Sequence, residues 1–170
     1  GHAHLLDFGI ARLLDTNDTS RPMTDALLTP QYAAPEQLDG GDITVATDVY
    51  ALGAVLFELF AGRGPWLSGG DSALPTALRR LLHDEPPKPS SVSEVASVRP
   101  AQIEGDLDAI VMKAMRSDTK DRYPSVEALS ADIRRYLAFE PVEARDGAVG
   151  YRIRRFMRRN RGGVIAAALI

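Results

Sequence analysis

Between Thr47 and Gly62 the apolar residues Val49, Leu52, Leu56, Leu59 and Phe60 recur at steps of three and four, which predicts an α-helix. Thr47 or Asp48 is available as its N-cap and Gly62 as its stop. Ala51, Ala54, Val55 and Phe57 add apolar surface around the remaining circumference, so this helix is expected to be buried on most sides and to form the spine of the core. Further amphipathic helices are expected downstream. One over 73–83 carries Leu74, Leu78, Leu81 and Leu82, one capped by Asp106 carries Leu107, Ile110, Val111, Ala114 and Met115, and one capped by Ser125 carries Leu129, Ile133, Tyr136 and Leu137. The Pro-rich stretch 85–91 reads as a linker between the first two of these.

The two ends follow different patterns. His4-Leu5-Leu6 is a short apolar run that stops at Asp7-Phe8-Gly9, a strand entering a turn, and the polar stretch 15–22 that follows reads as an exposed, mobile loop. Near the other end, Val149, Ile153, Phe156 and Met157 stand at helical spacing among arginines, and residues 162–170 are uncharged. No internal repeat is visible.

Composition narrows the function classes. Hydrophobic residues make up 45% and charged residues 25% of the 170-residue chain, the balance of a globular protein with a real core. Cysteine is absent, which excludes a disulfide framework, a thiolate metal site and a cysteine nucleophile. The net charge of −3 conceals an asymmetry, because residues 151–170 carry six arginines and no acid, leaving the first 150 at −9. An acidic body with one basic end argues against nucleic-acid binding. His2, His4 and His83 have no metal-ligand partners at useful spacing and read as structural or exposed.

Asp7-Phe8-Gly9 and Ala34-Pro35-Glu36 are weak signals singly, but their order, the hydroxyl-rich loop between them and Thr29-Pro30-Gln31-Tyr32 just before the second are informative together. On these motifs the chain resembles the eukaryotic-type protein kinases, in which Asp-Phe-Gly opens and Ala-Pro-Glu closes the activation segment. Asp48-Val49-Tyr50-Ala51-Leu52-Gly53 resembles the start of that family's central buried helix, and Arg122, between Asp121 and Tyr123, resembles its late arginine. The subtype looks like a bacterial serine/threonine kinase.

The resemblance implies a mainly α, kinase-like fold holding an incomplete large (C-terminal) lobe with its activation segment. It implies a partial kinase domain over 1–140, a basic juxtamembrane segment over 141–161 and the start of a transmembrane helix over 162–170. Asp7 would be a magnesium ligand, Phe8 would set whether Asp7 points into the site, and Gly9 would permit the rotation. Thr29 would line the substrate-docking loop. Thr16, Thr19, Ser20 and Thr24 are candidate phosphosites, although for any single one ordinary loop solvation is the better reading. Glu36 and Arg122, 86 positions apart, would meet as a buried ion pair holding the end of the activation segment, a structural role. Asp48 would anchor the catalytic loop, serve as a helix N-cap, or do both.

The Gly-rich loop, the strand lysine and the H-R-D-type catalytic loop all precede Asp-Phe-Gly in the family order, and none is in the chain. The catalytic-loop aspartate is therefore expected upstream of Gly1, and no catalytic residue is assigned within residues 1–170. The intact protein is expected to use ATP and magnesium on protein Ser/Thr hydroxyls, with the chain itself inactive; the alternative is a non-catalytic kinase-like regulatory or interaction module. Arg152, Arg154, Arg155, Arg158, Arg159 and Arg161 are expected to face an anionic membrane surface, with the kinase part cytoplasmic and the intact protein anchored in the cell membrane.

Overall fold

The computed structural model describes residues 32–66, 74–95, 99–145, 150, 151, 153 and 155. Gly1 and the expected strand at 4–6, Asp7-Phe8-Gly9, Thr16, Thr19, Ser20, Thr24, Thr29, the arginines Arg152, Arg154, Arg158, Arg159 and Arg161, and residues 162–170 lie outside them. The expectation that the catalytic-loop aspartate precedes Gly1 thus also falls outside the described residues.

Among the described residues the secondary structure is helical throughout, in keeping with the mainly α expectation: α1 (Pro35–Asp39), α2 (Val45–Ala61), α3 (Leu74–His83), α4 (Pro89–Val92), α5 (Pro100–Ile103), α6 (Asp106–Ala114), a 3₁₀ turn (Thr119–Asp121) and α7 (Val126–Leu137). Helix α1 begins with Pro35 in its first turn, where no N–H is needed, and the Gln37 side chain turns back to accept from the Ala34 N–H at 2.8 Å.

Helix α2 starts earlier than its apolar spacing indicates. Its N-cap is Thr44, whose Oγ1 accepts from the Ala46 N–H at 3.2 Å, while Thr47 Oγ1 accepts from the Thr44 N–H at 3.2 Å. This reciprocal cap needs no hydrophobic residue, so periodicity misses it. Val49, Tyr50, Gly53, Ala54, Phe57 and Ala61 are buried, and the exception to burial on most sides is one stripe where Val55 and Leu59, one turn apart, are exposed.

Helix α2 packs against α4, α6 and α7. On one flank Tyr50, Ala54, Phe57 and Ala61 join Trp66, Leu81, Val111 and Met115. On the other, Val49 joins Ile110, Ala114, Tyr123, Leu129 and Val142. The closest approach is at Gly53, where a Cβ would lie 2.8 Å from Met115 Cγ and 2.9 Å from Ala114 Cβ. Only a glycine lets the two backbones come this near.

Two further expectations are corrected. Part of the Pro-rich stretch is itself helical: α4 is buried at Pro89, and Ser90 donates to Asp108 from both its N–H (3.0 Å) and its hydroxyl (2.6 Å). Asp106 is not the cap of α6. That position belongs to Gly105, whose φ of 100° a side chain would strain, and Asp106 is the first helical residue, its carboxylate turned to arginines from farther along the chain.

Candidate functional site

The chain from Ala33 to Glu36 runs through the interior: Ala33, Ala34 and Pro35 are buried, and Glu36 is 7% exposed. The carboxylate of Glu36 would be costly there without a partner. The structure brings Arg122 to it across 86 positions, with Nη1 donating to Oε1 at 2.7 Å and Nη2 to Oε2 at 2.8 Å, a bidentate fork.

The remaining donors of Arg122 are also met. Nη1 reaches the Ala46 carbonyl at 2.8 Å, Nη2 the Ser117 carbonyl at 3.1 Å, and Nε the Arg116 carbonyl at 2.6 Å. A guanidinium has five N–H groups, and each has an acceptor here. The Arg122 Cζ lies 4.9 Å from the Tyr50 ring centroid, which puts an aromatic face against the cation. The Thr47 hydroxyl donates to Glu36 Oε1 at 2.9 Å and completes the shell.

The electrostatics follow from this shell. Burial pushes the Glu36 carboxyl up, but the hydrogen bonds from Arg122 and Thr47 and the Arg122 charge outweigh it and hold the group below its ordinary range. Burial pushes the Tyr50 hydroxyl up, so it stays neutral. The cluster is therefore a fixed ion pair rather than a proton donor or acceptor. Its effect is mechanical: it ties the Ala34-Pro35-Glu36 turn to the start of α2 and to the chain after α6.

Asp48, one helical position beyond Thr47, is exposed and makes no side-chain hydrogen bond to a described residue. It is not the N-cap of α2, since that is Thr44.

Sequence reasoning does not single out Thr47 as a partner of Glu36, nor Asp132 at all. Asp132 is fully buried and accepts from the Glu143 N–H (2.6 Å), the Ala144 N–H (2.9 Å), the Tyr123 hydroxyl (2.7 Å) and Arg135 Nη1 (3.2 Å). Burial would raise its pKa, yet these donors prevail and keep it low. A signal for it exists, because an acid three residues after Leu129 and next to Ile133 lies on the buried side of the expected helix.

Arg155 corrects part of the membrane-surface expectation. It is 7% exposed, ion-paired with Asp106 and stacked at 5.4 Å over the Tyr136 ring, so its charge is used inside the protein. Among the described residues no helix is long and apolar enough to cross a membrane, and no group of three acidic or histidine side chains could hold a metal ion.

Residues 1–133 match the family described as Protein kinase domain. The chain is 38% identical over 141 residues to serine/threonine-protein kinase PknB of Mycobacterium leprae, an alignment covering 82% of this chain and 21% of the relative. It is 36% identical over 141 residues to PknB of Mycobacterium tuberculosis, with the same coverage, and 34% identical over 145 residues to a probable serine/threonine-protein kinase of Streptomyces coelicolor, covering 85% and 20%. Among solved structures, titin kinase and its flanking domains aligns with a TM-score of 0.45 at 17% identity, over 78% of this chain and 22% of that one. The chain spans about a fifth of the length of the curated relatives it matches. With the Protein kinase domain matched over most of its length and serine/threonine kinases of bacteria as its relatives, the chain belongs to the protein kinase family, in the bacterial eukaryotic-type serine/threonine branch.

Proposed function

We propose that the protein containing this chain transfers the γ-phosphoryl group of ATP to Ser or Thr hydroxyls of proteins, and that residues 1–170 supply the activation segment and helical base without catalysing alone. The observation that carries the reading is the saturated Arg122 clamp on Glu36, which immobilises the Ala34-Pro35-Glu36 end of a segment opened by Asp7-Phe8-Gly9. A kinase requires that segment held in place at its far end while the middle stays free to receive substrate or a phosphate.

In the intact protein Asp7 would hold magnesium against the nucleotide phosphates, and the metal would neutralise charge on the transferred group. A carboxylate suits a hard cation, but Asp7 is one donor, and the chain contributes neither a Gly-rich loop nor an H-R-D-type motif. The catalytic-loop aspartate would come from sequence preceding Gly1. Thr29 would line the docking loop. Thr16, Thr19, Ser20 and Thr24 are the positions where an added phosphate could order the segment by pairing with arginine. Asp48, being exposed on α2, is free to meet a catalytic loop.

A boundary near residue 140 and a basic segment leading to a membrane helix are part of the same proposal. The apolar run 162–170 directly after the arginines supports it, with Arg152, Arg154, Arg158, Arg159 and Arg161 as the residues for an anionic surface. The kinase part would then lie on the cytoplasmic side. Retention of Asp7, Phe8 and Gly9 favours the enzyme over a non-catalytic module, which has no use for a magnesium ligand.

Radiolabelled ATP and a generic protein substrate test the proposal. The full-length protein should transfer phosphate and the 170-residue chain should not. Asp7→Asn in the full-length protein should lower kcat on the order of 100-fold or more, the loss typical of removing a group that stabilises transition-state charge. Wild-type activity in that variant, or an inactive full-length protein, would refute the assignment.

A further inference from the structure

The family match ends at residue 133, yet close packing does not. Helix α7 closes in a Schellman turn: the Phe139 N–H donates to the Tyr136 carbonyl at 3.1 Å and the Glu140 N–H to the Arg135 carbonyl at 2.8 Å. Phe139 takes the left-handed conformation at φ 58° that glycine usually fills. The turn sends the chain back along α7, where two anchors receive it.

The first anchor is Asp132, which accepts the Glu143 and Ala144 N–H groups while Val142 enters the core at 3% exposure. The Glu143 side chain pairs with Lys113 at 3.2 Å and with Arg135 at 3.4 Å. The second anchor is Asp106. It receives Arg145 at 2.9 Å and, on its other oxygen, Arg155. The Arg155 guanidinium lies over the Tyr136 ring and the Arg145 guanidinium over the Tyr151 ring at 4.8 Å, and the Tyr151 hydroxyl accepts from the Val142 N–H at 3.0 Å. The notch fits arginine: a buried carboxylate with two oxygens, an aromatic face, and room above Gly105, where a Cβ would sit 3.1 Å from Arg145 Nη1.

We propose that residues 142–145, Tyr151 and Arg155 form a strap docked on α6 and α7 through the Asp106 notch, and that this strap, rather than a free linker, fixes where the basic segment leaves the kinase body. Arg155 is the key side chain, because it lies farthest along the chain and is nonetheless buried. The basic segment therefore starts from a set point on the surface, and the kinase body cannot swing freely about residue 140.

Hydrogen–deuterium exchange on the 170-residue chain tests this. In the wild type, peptides covering 150–155 should exchange at least about tenfold more slowly than an unstructured segment, and Arg155→Gln should abolish that protection. The Glu143 and Ala144 amides, held by Asp132, should keep theirs in the same variant. Asp106→Asn should give the same pattern; if it also loosens α6, Arg155→Gln alone decides, since Arg155 lies outside helices α1 to α7. Unprotected 150–155 peptides in the wild type, or protection unchanged by Arg155→Gln, would overturn the proposal.

Discussion

Helix α6 has one ion-pair clamp at its first residue and another just past its last, and the two solve the same problem differently. At its C-terminal end one guanidinium, Arg122, has a side-chain exposure of 0% and serves one carboxylate and three carbonyls. At its N-terminal end one carboxylate, Asp106, serves two guanidiniums, and the Arg145 side chain is 47% exposed. In the first clamp every donor has a single fixed acceptor, so no replacement can meet the shell. In the second, loss of either arginine leaves Asp106 neutralised by the other, and water can reach Arg145. The first clamp is all-or-none and suits a junction that must not open. The second is graded and suits a strap at the edge of the fold.

Arg122→Lys should destabilise the first clamp most. A lysine keeps the charge, but three donors on one nitrogen cannot span the Glu36 fork and the carbonyls of Ala46, Arg116 and Ser117. The expected loss is about 3–5 kcal/mol, the range for breaking a buried pair, and nearly the same as for Arg122→Ala. Urea unfolding monitored at Trp66 measures it. A loss under about 1 kcal/mol for the lysine variant would mean that charge alone holds the junction.

Acid should separate the clamp's carboxylate from ordinary surface acids, with a smaller effect because a protonated Glu36 keeps part of its hydrogen bonding. The native pKa of Glu36 is held below its ordinary value of 4.5, and that of Asp132 below 3.8. Depressed native values give stability that is fully present above the ordinary values and is lost as pH falls through the native ones. Unfolding free energy should therefore be level above about pH 5 and drop steadily below it, and Glu36→Gln should flatten the upper part of that drop. Stability unchanged from about pH 6 to about pH 3 would show that neither carboxylate prefers its charged form in the fold.

The two clamps are also unequally legible in the sequence. Glu36 and Arg122 can be paired without a structure because each lies inside a short motif whose partner is known from the family resemblance; spacing alone gives no reason to join positions 86 apart. The helices α2, α3, α6 and α7 follow from apolar periodicity, since each buries one face. What periodicity misses is polar: the Thr44 cap, the Ser90 bonds to Asp108, and the turning of Asp106 away from capping. Arg155 is misread because an arginine among arginines beside an apolar run looks like part of a face for an anionic membrane surface, and only the fold shows an acid and an aromatic ring waiting for it.

The smallest expected effect tests whether the clamps are independent. Gly53→Ala puts a methyl 2.8 Å from Met115 Cγ and 2.9 Å from Ala114 Cβ. Met115 can shift, but the Ala114 Cβ is fixed to the backbone of α6, so the C-terminal end of that helix must move off α2. Alanine gains up to about 1 kcal/mol in helix propensity, and overpacking costs about 1–3 kcal/mol, so the net loss should be about 1 kcal/mol. The displaced end leads directly to the Arg116 and Ser117 carbonyls that Arg122 uses, whereas the Asp106 notch lies about 12 Å away along the helix at about 1.5 Å per residue. Hydrogen exchange should therefore rise at residues 116–122 and stay unchanged at 150–155, the peptides that report on the Asp106 notch. Equal loss of protection at both places would show that α6 moves as a rigid rod and that its two clamps act as one.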